Sequence, residues 1–431
     1  MKKLNILVVS LLLVGCDSSS DKLKGTWENI YAKEIITVGN FKVNPFNTAM
    51  SLKYFVNEEV ENKGQLISDV KEIYQTNIET LHKKFDRHYS YYLDQHNQNL
   101  GEYTNIKDIN DSLDSGNYVK LDQETYDLLK MGVECSKYSE GYFNIFIGKV
   151  TDFWDEVFYE AYNFSDISLD PYFNEERKEL LSSLINSIPN TNAEIDNVLE
   201  FKDDTLEVRF NSLKDDEGKS LGKISISVGG IAKGYATDLV KEKLIAKGYN
   251  QGYLFSGGSS VSSLSTPIYN NEKGQYISVV DPRSAHLFGE DKKSAFGVYL
   301  NDEFNMSTSG NYTSGKSYTF LNDSNKRVTR HHIINSFTGY PEYESGVASV
   351  TVISKKLSAG VLDAFSTTLV NKSIEDGLLF RRKVMDDYQA DLEIVYIVEN
   401  IEDNTIEIIT TSDFNKTFEK GSQKGISVRY E

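Results

Sequence analysis

Residues 224–235, ISISVGGIAKGY, contain the change of pattern that decides the fold class. Isoleucines and Val228 alternate with serines at the start of this segment, which predicts a half-buried strand. Gly229-Gly230 then allows a sharp turn, and the apolar stripe that follows predicts a helix ending near Gly248. A strand, a glycine turn and a helix in succession indicate mixed α and β structure.

The rest of the chain adds further helices and strands. Helices are predicted where apolar residues recur every three or four positions, and strands where β-branched and aromatic residues alternate between turn residues. Predicted helices cover residues 66–85, 124–135 and 358–370, and predicted strands cover residues 253–255, 276–280, 296–300, 348–353 and 392–398. Residues 165–200 form an acidic connection, of which residues 170–179 are expected to be exposed. The prediction is an α+β fold of mixed sheets and helices.

The start of the chain is typical of a secretory signal that ends in a lipid-attachment motif. A short basic segment precedes an apolar run that is too short to span a membrane as a helix. The run ends in LVGC, residues 13–16, which resembles a bacterial lipobox. A chance cysteine beside an ordinary cleavage site is the alternative. We expect a signal peptide over residues 1–15, a lipidated Cys16 that opens a flexible tether over residues 16–40, and a folded body over residues 41–431.

Composition excludes some classes of function. Lys and Arg number 46 and Asp and Glu number 64, so the net charge is −18. Nucleic acid is a poor match, because binding its phosphates requires a basic face. Hydrophobic residues make up 39% of the 431, with 27 Tyr and 22 Phe, which is ample material for folded cores. No later segment has the roughly 18 apolar residues of a membrane helix, so we expect a soluble, extracytoplasmic body. Once the signal is removed only Cys135 is left beside the lipidated cysteine, so no internal disulfide is expected.

Two segments carry residue types suited to phosphate and metal chemistry. After Gly229-Gly230 the helix begins with unpaired N–H groups, and Lys233 in its first turn can reach a phosphate. The alternative is that this glycine pair forms a tight turn without a ligand, as such pairs more often do. Asp363 and Thr367 are four residues apart, which puts two hard oxygen ligands suited to Mg²⁺ on one helix face. A solvated helix edge is the alternative for this pair.

Residues 331–341, HHIINSFTGYP, form the third candidate segment. On a strand, His331 and His332 would face opposite ways, so only one could enter a site. A purely structural histidine is the alternative for either. With six His in the chain and none at helical metal-binding spacing, a zinc centre is a poor match. No Gly-x-Ser-x-Gly elbow is present, so acyl hydrolysis has no support.

In this order, the segments resemble the FAD:protein FMN transferases, the ApbE family of flavin transferase lipoproteins. The resemblance begins near Phe46-Asn47-Thr48, continues through Gly141-Tyr142-Phe143-Asn144, and is sharpest from Ser227 to the helix around Asp363. It implies a two-lobed fold with the flavin site between the lobes. It also implies Mg²⁺-dependent transfer of FMN from FAD to a threonine hydroxyl of an extracytoplasmic acceptor flavoprotein, with release of AMP. A lipid anchor at Cys16 on a bacterial membrane suits the same family.

The resemblance also implies roles for individual residues. The metal ligands would be Asp363, Thr367 and the backbone carbonyl of Gly230. His332 occupies the position of the family's histidine and is expected to help as an acid or base. Contacts with FAD are expected from Tyr142, Phe143, Asn144, Ser227, Lys233 and Ile334.

Three positions depart from the family's pattern. Ser227 and Asn144 stand where the family usually has aspartate, and Asn335-Ser336 stands in place of Asp-Pro. The loss of three carboxylates beside an intact metal pair leaves alternatives to FMN transfer open. These are an FAD pyrophosphatase that yields FMN and AMP, and a non-catalytic flavin-binding surface lipoprotein. The lipobox alone would also permit an unrelated solute-binding lipoprotein.

Overall fold

The computed structural model describes residues 24–36, 42–90, 103–265, 274–285, 292–312, 316–341, 346–400, 403–411 and 418–431. Helices in this part of the chain are α1 (Lys63–Phe85), α2 (Ile106–Asp111), α3 (Gln123–Tyr138), α4 (Gly148–Phe164), α5 (Glu175–Ile185), α6 (Asn192–Val198), α7 (Ala232–Ala246), α8 (Ala359–Asn371) and α9 (Ile374–Tyr388). Strands before residue 264 are β1 (Gly25–Tyr31), β2 (Ile35–Ile36), β3 (Lys42–Val43), β4 (Met50–Asn57), β5 (Val119–Lys120), β6 (Leu199–Lys202), β7 (Glu207–Phe210), β8 (Gly252–Ser256) and β9 (Ser260–Ser263). Later strands are β10 (Gln275–Val280), β11 (Ser294–Leu300), β12 (Asn305–Gly310), β13 (Ser317–Leu321), β14 (Arg327–His331), β15 (Val347–Ser354), β16 (Glu393–Asn400), β17 (Thr405–Thr410), β18 (Phe418–Lys420) and β19 (Ile426–Tyr430).

A nine-stranded sheet organises the described residues. Its strand order is β1-β4-β8-β9-β12-β15-β16-β17-β19. Its strands pair in antiparallel fashion except for β17 and β19, which run parallel. The predicted α+β class is therefore confirmed. None of the described helices is both long and apolar enough to cross a membrane.

Both faces of the large sheet are covered, which gives three layers. On β8, Leu254 packs into the cluster that contains α1 and α7, whereas its neighbour Tyr253 packs into the cluster under the small sheet β10-β11-β18. Successive side chains of a strand point to opposite faces, so this division shows apolar cover on both sides. Helices α8 and α9 cover the β15 and β16 end of the helical face.

The first strand corrects the predicted tether. Residues 25–31, placed in the flexible tether over residues 16–40, form β1 and pair with β4 along its whole length. Trp27 stabilises the pairing of β1, because the centre of its ring lies 5.1 Å from that of Phe55 and 5.8 Å from that of Tyr253. Residues 1–23, including Cys16 and the signal peptide, lie outside the described residues. The other domain boundaries stay predictions.

The segment 224–228 is extended, but the strand predicted there is wrong. It makes a single bridge between Ser225 and Ile147 and joins none of the sheets in the described residues. The side chain of Asn110 takes the place of a neighbouring strand. Its Oδ1 accepts from the Ile226 amide at 2.7 Å, and its Nδ2 donates to the Ile226 carbonyl at 3.1 Å. The alternating apolar residues of this segment are therefore buried although the segment is not part of a sheet.

The acidic connection predicted over residues 165–200 contains helices α5 and α6. Asp170, expected on its exposed part, has no solvent exposure. Its carboxylate accepts from Arg330 Nε at 2.8 Å and from the Tyr318 hydroxyl at 2.6 Å. The expectation of exposure was wrong because the partners of Asp170 follow about 150 or more residues later in the chain.

Helices α7 and α8 cross closely, and this crossing builds the candidate site. A Cβ on Gly234 would lie 2.2 Å from the carbonyl oxygen of Ala359, so only glycine allows the two backbones to approach this far. Asp238 on α7 accepts from the amides of Ala359 and Gly360, each at 2.9 Å. These amides open α8 and have no partner within their own helix. The carboxylate of one helix therefore caps the other.

Candidate active site

Asp363 lies at the centre of the site, in the second turn of α8. Ser358 caps that helix by accepting from the Val361 amide. The Asp363 carboxylate is only 4% exposed, and its Oδ2 accepts from the Gly234 amide at 2.8 Å. Among the described residues no Lys, Arg or His forms an ion pair with it. A buried carboxylate with hydrogen bonds and no cation is a place where a bound positive charge would be strongly favoured.

Thr367 and Gly230 lie beside this carboxylate. The Thr367 hydroxyl donates to the Asp363 carbonyl at 3.1 Å, so its lone pairs are directed away from the helix. A Cβ on Gly230 would be 3.4 Å from Thr367 Oγ1, which shows how closely the Gly230 backbone approaches α8. The Gly234 amide, which a regular helix would direct to the Gly230 carbonyl, donates to Asp363 instead. The Gly230 carbonyl is thereby left without that helical donor.

The three predicted metal ligands therefore come together, and their chemistry fits Mg²⁺. They offer one carboxylate, one hydroxyl and one carbonyl, all hard oxygen donors. Mg²⁺ commonly takes one or two carboxylates and completes its shell with substrate phosphates and water. No group of three or more His, Cys, Asp or Glu side chains suited to a metal occurs in the described part of the chain, so a closed structural metal site has no support there.

A pocket of about 140 Å³ opens next to the first turn of α7. Ser227, Gly229 and Lys233 line it on one side, and Phe46 and His82 on the other. Lys233 Nζ donates to the Gly229 carbonyl at 3.1 Å, which holds the ammonium over the glycine turn. Phe46 has a φ of +54°, and its amide donates to His82 Nδ1 at 3.0 Å. The expectation of unpaired amides is not met, because the amides of Ile231 and Ala232 both donate to the Val228 carbonyl. The ammonium and the helix dipole still make this end of the site attractive to an anion.

The predicted contacts Tyr142 and Ile334 meet through Asn371 at the end of α8. Asn371 Nδ2 donates to the Tyr142 carbonyl at 3.2 Å and to the Ile334 carbonyl at 3.3 Å. Lys372 Nζ lies 3.9 Å from the centre of the Tyr142 ring, within the range of a cation–π contact. The ring of Phe143 would lie 3.1 Å from a Cβ on Gly230. The buried Phe143 ring therefore packs against the glycine turn, whereas the half-buried Tyr142 ring lies beside Lys372.

His332 directly follows β14, whose last residue is His331, so the two histidines do not share a strand. His331 is fully buried, whereas His332 is exposed. Desolvation by the surrounding protein lowers the pKa of His332 to about 3, and the positive charges of Lys316, His331 and Lys233 act in the same direction. His332 is therefore neutral near pH 7, and a neutral imidazole has one unprotonated nitrogen.

A family model described as the ApbE family matches residues 46–391, which is most of the chain. The chain belongs to the ApbE family.

Relatives of this ApbE chain agree with the assignment. A protein named FAD:protein FMN transferase from Buchnera aphidicola subsp. Baizongia pistaciae (strain Bp) is 32% identical over 152 residues, which span 35% of this chain and 39% of that relative. The ApbE protein of Thermotoga maritima has a TM-score of 0.57 at 21% identity, covering 88% of this chain and 96% of its own. The flavin transferase ApbE of Vibrio cholerae has a TM-score of 0.58 at 15% identity, covering 91% and 99%. At these identities the solved structures show a shared fold.

Asn144, one of the departures from the ApbE pattern, lies behind the site and does not face it. Its side chain is buried, Nδ2 donates to the Pro189 carbonyl at 2.8 Å, and Oδ1 accepts from the Phe146 amide at 2.9 Å. A carboxylate could not donate to Pro189, so the amide fits this environment. The predicted FAD contact from the Asn144 side chain is therefore not supported, since both ends of its amide are already used.

Asn335 and Ser336, the other departure on this side, also have structural roles. Asn335 Oδ1 accepts from the amides of Phe337 and Thr338 at 2.8 and 3.4 Å, as an aspartate could do in the same turn. Ser336 Oγ donates to the Gly141 carbonyl at 2.6 Å and so joins this turn to the segment before Tyr142. The turn is preserved without its carboxylate.

Sequence reasoning missed a group of buried hydroxyls around Asp363. Ser260 and Ser307 donate to Asp363 Oδ1 at 2.7 and 2.6 Å. Ser366 Oγ donates to the Asp363 carbonyl at 3.0 Å and lies 2.8 Å from Ser309 Oγ. Serines are common on strands and near turns, so no local pattern marks them. Only the pairing of β9 with β12 brings them to the carboxylate.

Proposed function

We propose that this ApbE chain transfers FMN from FAD to a threonine hydroxyl of an extracytoplasmic flavoprotein in an Mg²⁺-dependent reaction that releases AMP. The observation that carries the proposal is the buried Asp363 carboxylate, which has no cationic partner among the described residues and lies on the helix that Gly230 approaches at Thr367. A diphosphate with its divalent cation supplies the charges that this arrangement lacks. The name of the Buchnera relative supports the transfer of FMN from FAD to a protein.

The proposed reaction is a displacement at phosphorus. The acceptor hydroxyl oxygen forms a bond to the phosphorus of the FMN half of FAD. The bond between that phosphorus and the oxygen shared with the AMP half breaks, and AMP leaves with the shared oxygen. The hydroxyl proton passes to a base, and the product is a phosphodiester between threonine and riboflavin. Negative charge develops on the phosphoryl oxygens, so catalysis depends on positive charge and oriented donors around them.

The residues of the site divide these tasks between them. When bound by Asp363, Thr367 and the Gly230 carbonyl, Mg²⁺ would neutralise charge on the diphosphate. Lys233 lines the pocket at the start of α7 and, together with the dipole of that helix, adds positive potential. The half-buried ring of Tyr142 offers aromatic surface on which a flavin or adenine ring can stack, whereas Phe143, at 4% exposure, supports the glycine turn from the core. None of these contributions requires the carboxylates that Ser227 and Asn144 replace.

His332 is the residue proposed to accept the threonine proton. It is neutral near pH 7, so a ring nitrogen is available. A pKa far below 7 would make it a weak base. A bound diphosphate brings negative charge close to the ring, however, and so raises the pKa of His332 toward the working pH. Substrate binding would thus activate the base.

We also propose that the protein is held on a bacterial membrane through lipid on Cys16. This proposal rests on the lipobox-like LVGC at residues 13–16 and on the polar residues that follow it. Extraction of labelled lipid with the protein from cells fed a radioactive fatty acid, and its loss in Cys16→Ala, would support it. Equal labelling of both proteins would contradict it.

The test of activity follows both products of the proposed reaction. The full chain in detergent is incubated with FAD and Mg²⁺, with and without an acceptor flavoprotein that carries the target threonine. AMP is measured by chromatography, and bound flavin by fluorescence of the denatured acceptor. Acceptor-dependent AMP with covalent flavin supports the transferase. AMP with free FMN and no labelled acceptor would indicate a pyrophosphatase, and bound but intact FAD would indicate a binding protein.

Asp363→Ala is expected to abolish transfer, because it removes the only carboxylate among the proposed ligands. Asp216→Ala is the matched control, since Asp216 is an exposed carboxylate that does not line the pocket. Unchanged transfer by Asp363→Ala, with both proteins folded by circular dichroism, would contradict the metal assignment.

A further inference from the structure

We propose that the hydroxyls of Ser260 and Ser307 restrict Asp363 to a single bond toward a cation, and that this restriction favours Mg²⁺ over Ca²⁺. The inference rests on the proposed function, because the cation is the one that the transfer reaction would use. It goes further by naming two residues that set the choice of metal.

The two serines form a directly opposed pair on neighbouring strands. Ser307 of β12 is the register partner of Ser260 of β9, so their side chains leave the sheet on the same face. Both are almost completely buried, at 2% and 1% exposure. Their oxygens lie 2.6 and 2.7 Å from the same atom, Asp363 Oδ1. The sheet therefore presents two donors to one oxygen of the carboxylate.

Counting acceptor positions shows what remains for a metal. A carboxylate has about four lone-pair positions, two on each oxygen. Ser260 and Ser307 use both positions on Oδ1, and the Gly234 amide uses one on Oδ2 at 2.8 Å. One position is left, and it lies on Oδ2. Asp363 can therefore offer a cation one bond, from one oxygen.

The two hydroxyls have little freedom to turn away. Among the described residues, the other hydroxyl oxygens within bonding range are Ser307 Oγ for Ser260, at 3.4 Å, and Ser366 Oγ for Ser307, at 3.2 Å. Both distances are long for hydrogen bonds between hydroxyls. Ser366 already donates to the Asp363 carbonyl. A hydroxyl turned away from Oδ1 would leave a buried donor poorly satisfied, at a free-energy cost of about 1–3 kcal/mol.

This restriction matters because the two common divalent cations use carboxylates differently. Mg²⁺ takes six ligands at short, nearly ideal octahedral positions and is usually bound by single carboxylate oxygens. Ca²⁺ takes six to eight ligands and often binds both oxygens of a carboxylate. Because Oδ1 is occupied, Asp363 can bind a cation through one oxygen, as Mg²⁺ requires, but not through both oxygens, as Ca²⁺ often does. The remaining proposed donors, Thr367 and the Gly230 carbonyl, add no carboxylate that could compensate.

The test measures metal binding without catalysis. Mn²⁺ is bound to the full chain in the presence of ADP, which supplies the adenosine diphosphate part of FAD and has no flavin to transfer. Free Mn²⁺ is followed by electron paramagnetic resonance while Mg²⁺ or Ca²⁺ displaces it. In Ser260→Ala/Ser307→Ala, the ratio of the Ca²⁺ to the Mg²⁺ dissociation constant is expected to fall about tenfold, which corresponds to about 1.4 kcal/mol. Each single variant is expected to give a smaller fall in the same direction.

Ser262→Ala is the matched control. Ser262 lies two residues from Ser260 on β9, is equally buried, and its Oγ has no hydrogen-bond partner in the described residues. The ratio is expected to stay unchanged in this variant. If the double variant does not fold, the two single variants decide the question by the same ratio. A wild-type protein that binds Mg²⁺ with ADP, and variants with the wild-type ratio, would overturn the inference and leave the proposed function intact. Absence of any cation binding to the wild type would overturn both.

Discussion

The close crossing of α7 and α8 makes Gly234→Ala a sharp test of how the site is held together. A methyl group at this position would lie 2.2 Å from the Ala359 carbonyl oxygen and 2.7 Å from the Gly360 nitrogen. Both are backbone atoms, which cannot rotate away. Reaching 3.4 Å, where ordinary contact begins, requires the helices to separate by about 1.2 Å. Overpacking of this kind costs about 1–3 kcal/mol or more.

The separation would also stretch the hydrogen bonds that join the two helices. The bond from the Gly234 amide to Asp363 and the two bonds that Asp238 accepts have lengths of 2.8–2.9 Å. Each would lose part of the roughly 1 kcal/mol that is typical of such bonds. Alanine gains about 0.5–1 kcal/mol over glycine from its higher helix propensity. The net expectation is that the free energy of unfolding falls by about 2–4 kcal/mol.

Equilibrium unfolding in urea measures this difference, and Gly64→Ala is its control. Gly64 lies in the first turn of α1 as Gly234 lies in that of α7, but a Cβ there would meet nothing within 4 Å. The control variant is expected to be as stable as the wild type or more stable by about 0.5 kcal/mol. A Gly234→Ala protein of wild-type stability would refute the close crossing, whatever the control shows.

Three further predictions concern charged groups. Asp170→Asn leaves Arg330 buried without its partner, so urea unfolding should show a loss of about 3–5 kcal/mol, and a loss below about 1 kcal/mol would contradict the buried pair. Desolvation and nearby cations lower the pKa of His332. The pH profile of kcat/KM, which reports the free protein, should therefore show no loss of activity near pH 6.5 that can be assigned to His332 by comparison with His332→Asn. An imidazole resonance of His332 that titrates above pH 6.5 in the free protein would contradict this. Burial raises the pKa of Asp238 to about 6, so the folded state holds this proton more tightly than the unfolded state. As the pH rises from 4 to 6, the contribution of Asp238 to the free energy of unfolding should therefore decrease, and the stability of the wild type relative to Asp238→Asn should decrease in parallel. An increase over that range would contradict the raised pKa.

Local patterns predicted those parts of the molecule in which neighbours in sequence are neighbours in space. The helix that carries Asp363 and Thr367 was predicted over residues 358–370 and is found at Ala359–Asn371. The strands predicted over residues 253–255 and 348–353 lie within β8 and β15. In each case periodicity of one segment was sufficient, because that segment alone determines which of its residues are buried.

Features that depend on two distant segments were missed. Ser260 and Ser307 meet only because β12 follows β10 and β11, which form a separate sheet, and then returns to pair with β9. The side chain of Asn110, which is 116 residues earlier in the sequence, forms hydrogen bonds with the amide and the carbonyl of Ile226. These bonds take the place of those that a neighbouring strand would make. No periodicity within either segment encodes such a pairing. The metal pair could be proposed from sequence, whereas the groups that orient it could not.

The mutual capping of α7 and α8 makes the order in which the chain is synthesised relevant to its chemistry. Gly234 and Asp363 are separated by 129 residues, and Asp238 and Ala359 by 121. A nascent or truncated chain that ends before α8 would keep Lys233 and the glycine turn but would lack the carboxylate. Such a chain would lack one of the proposed metal ligands, so the proposed activity requires that α8 has been synthesised and has packed against α7.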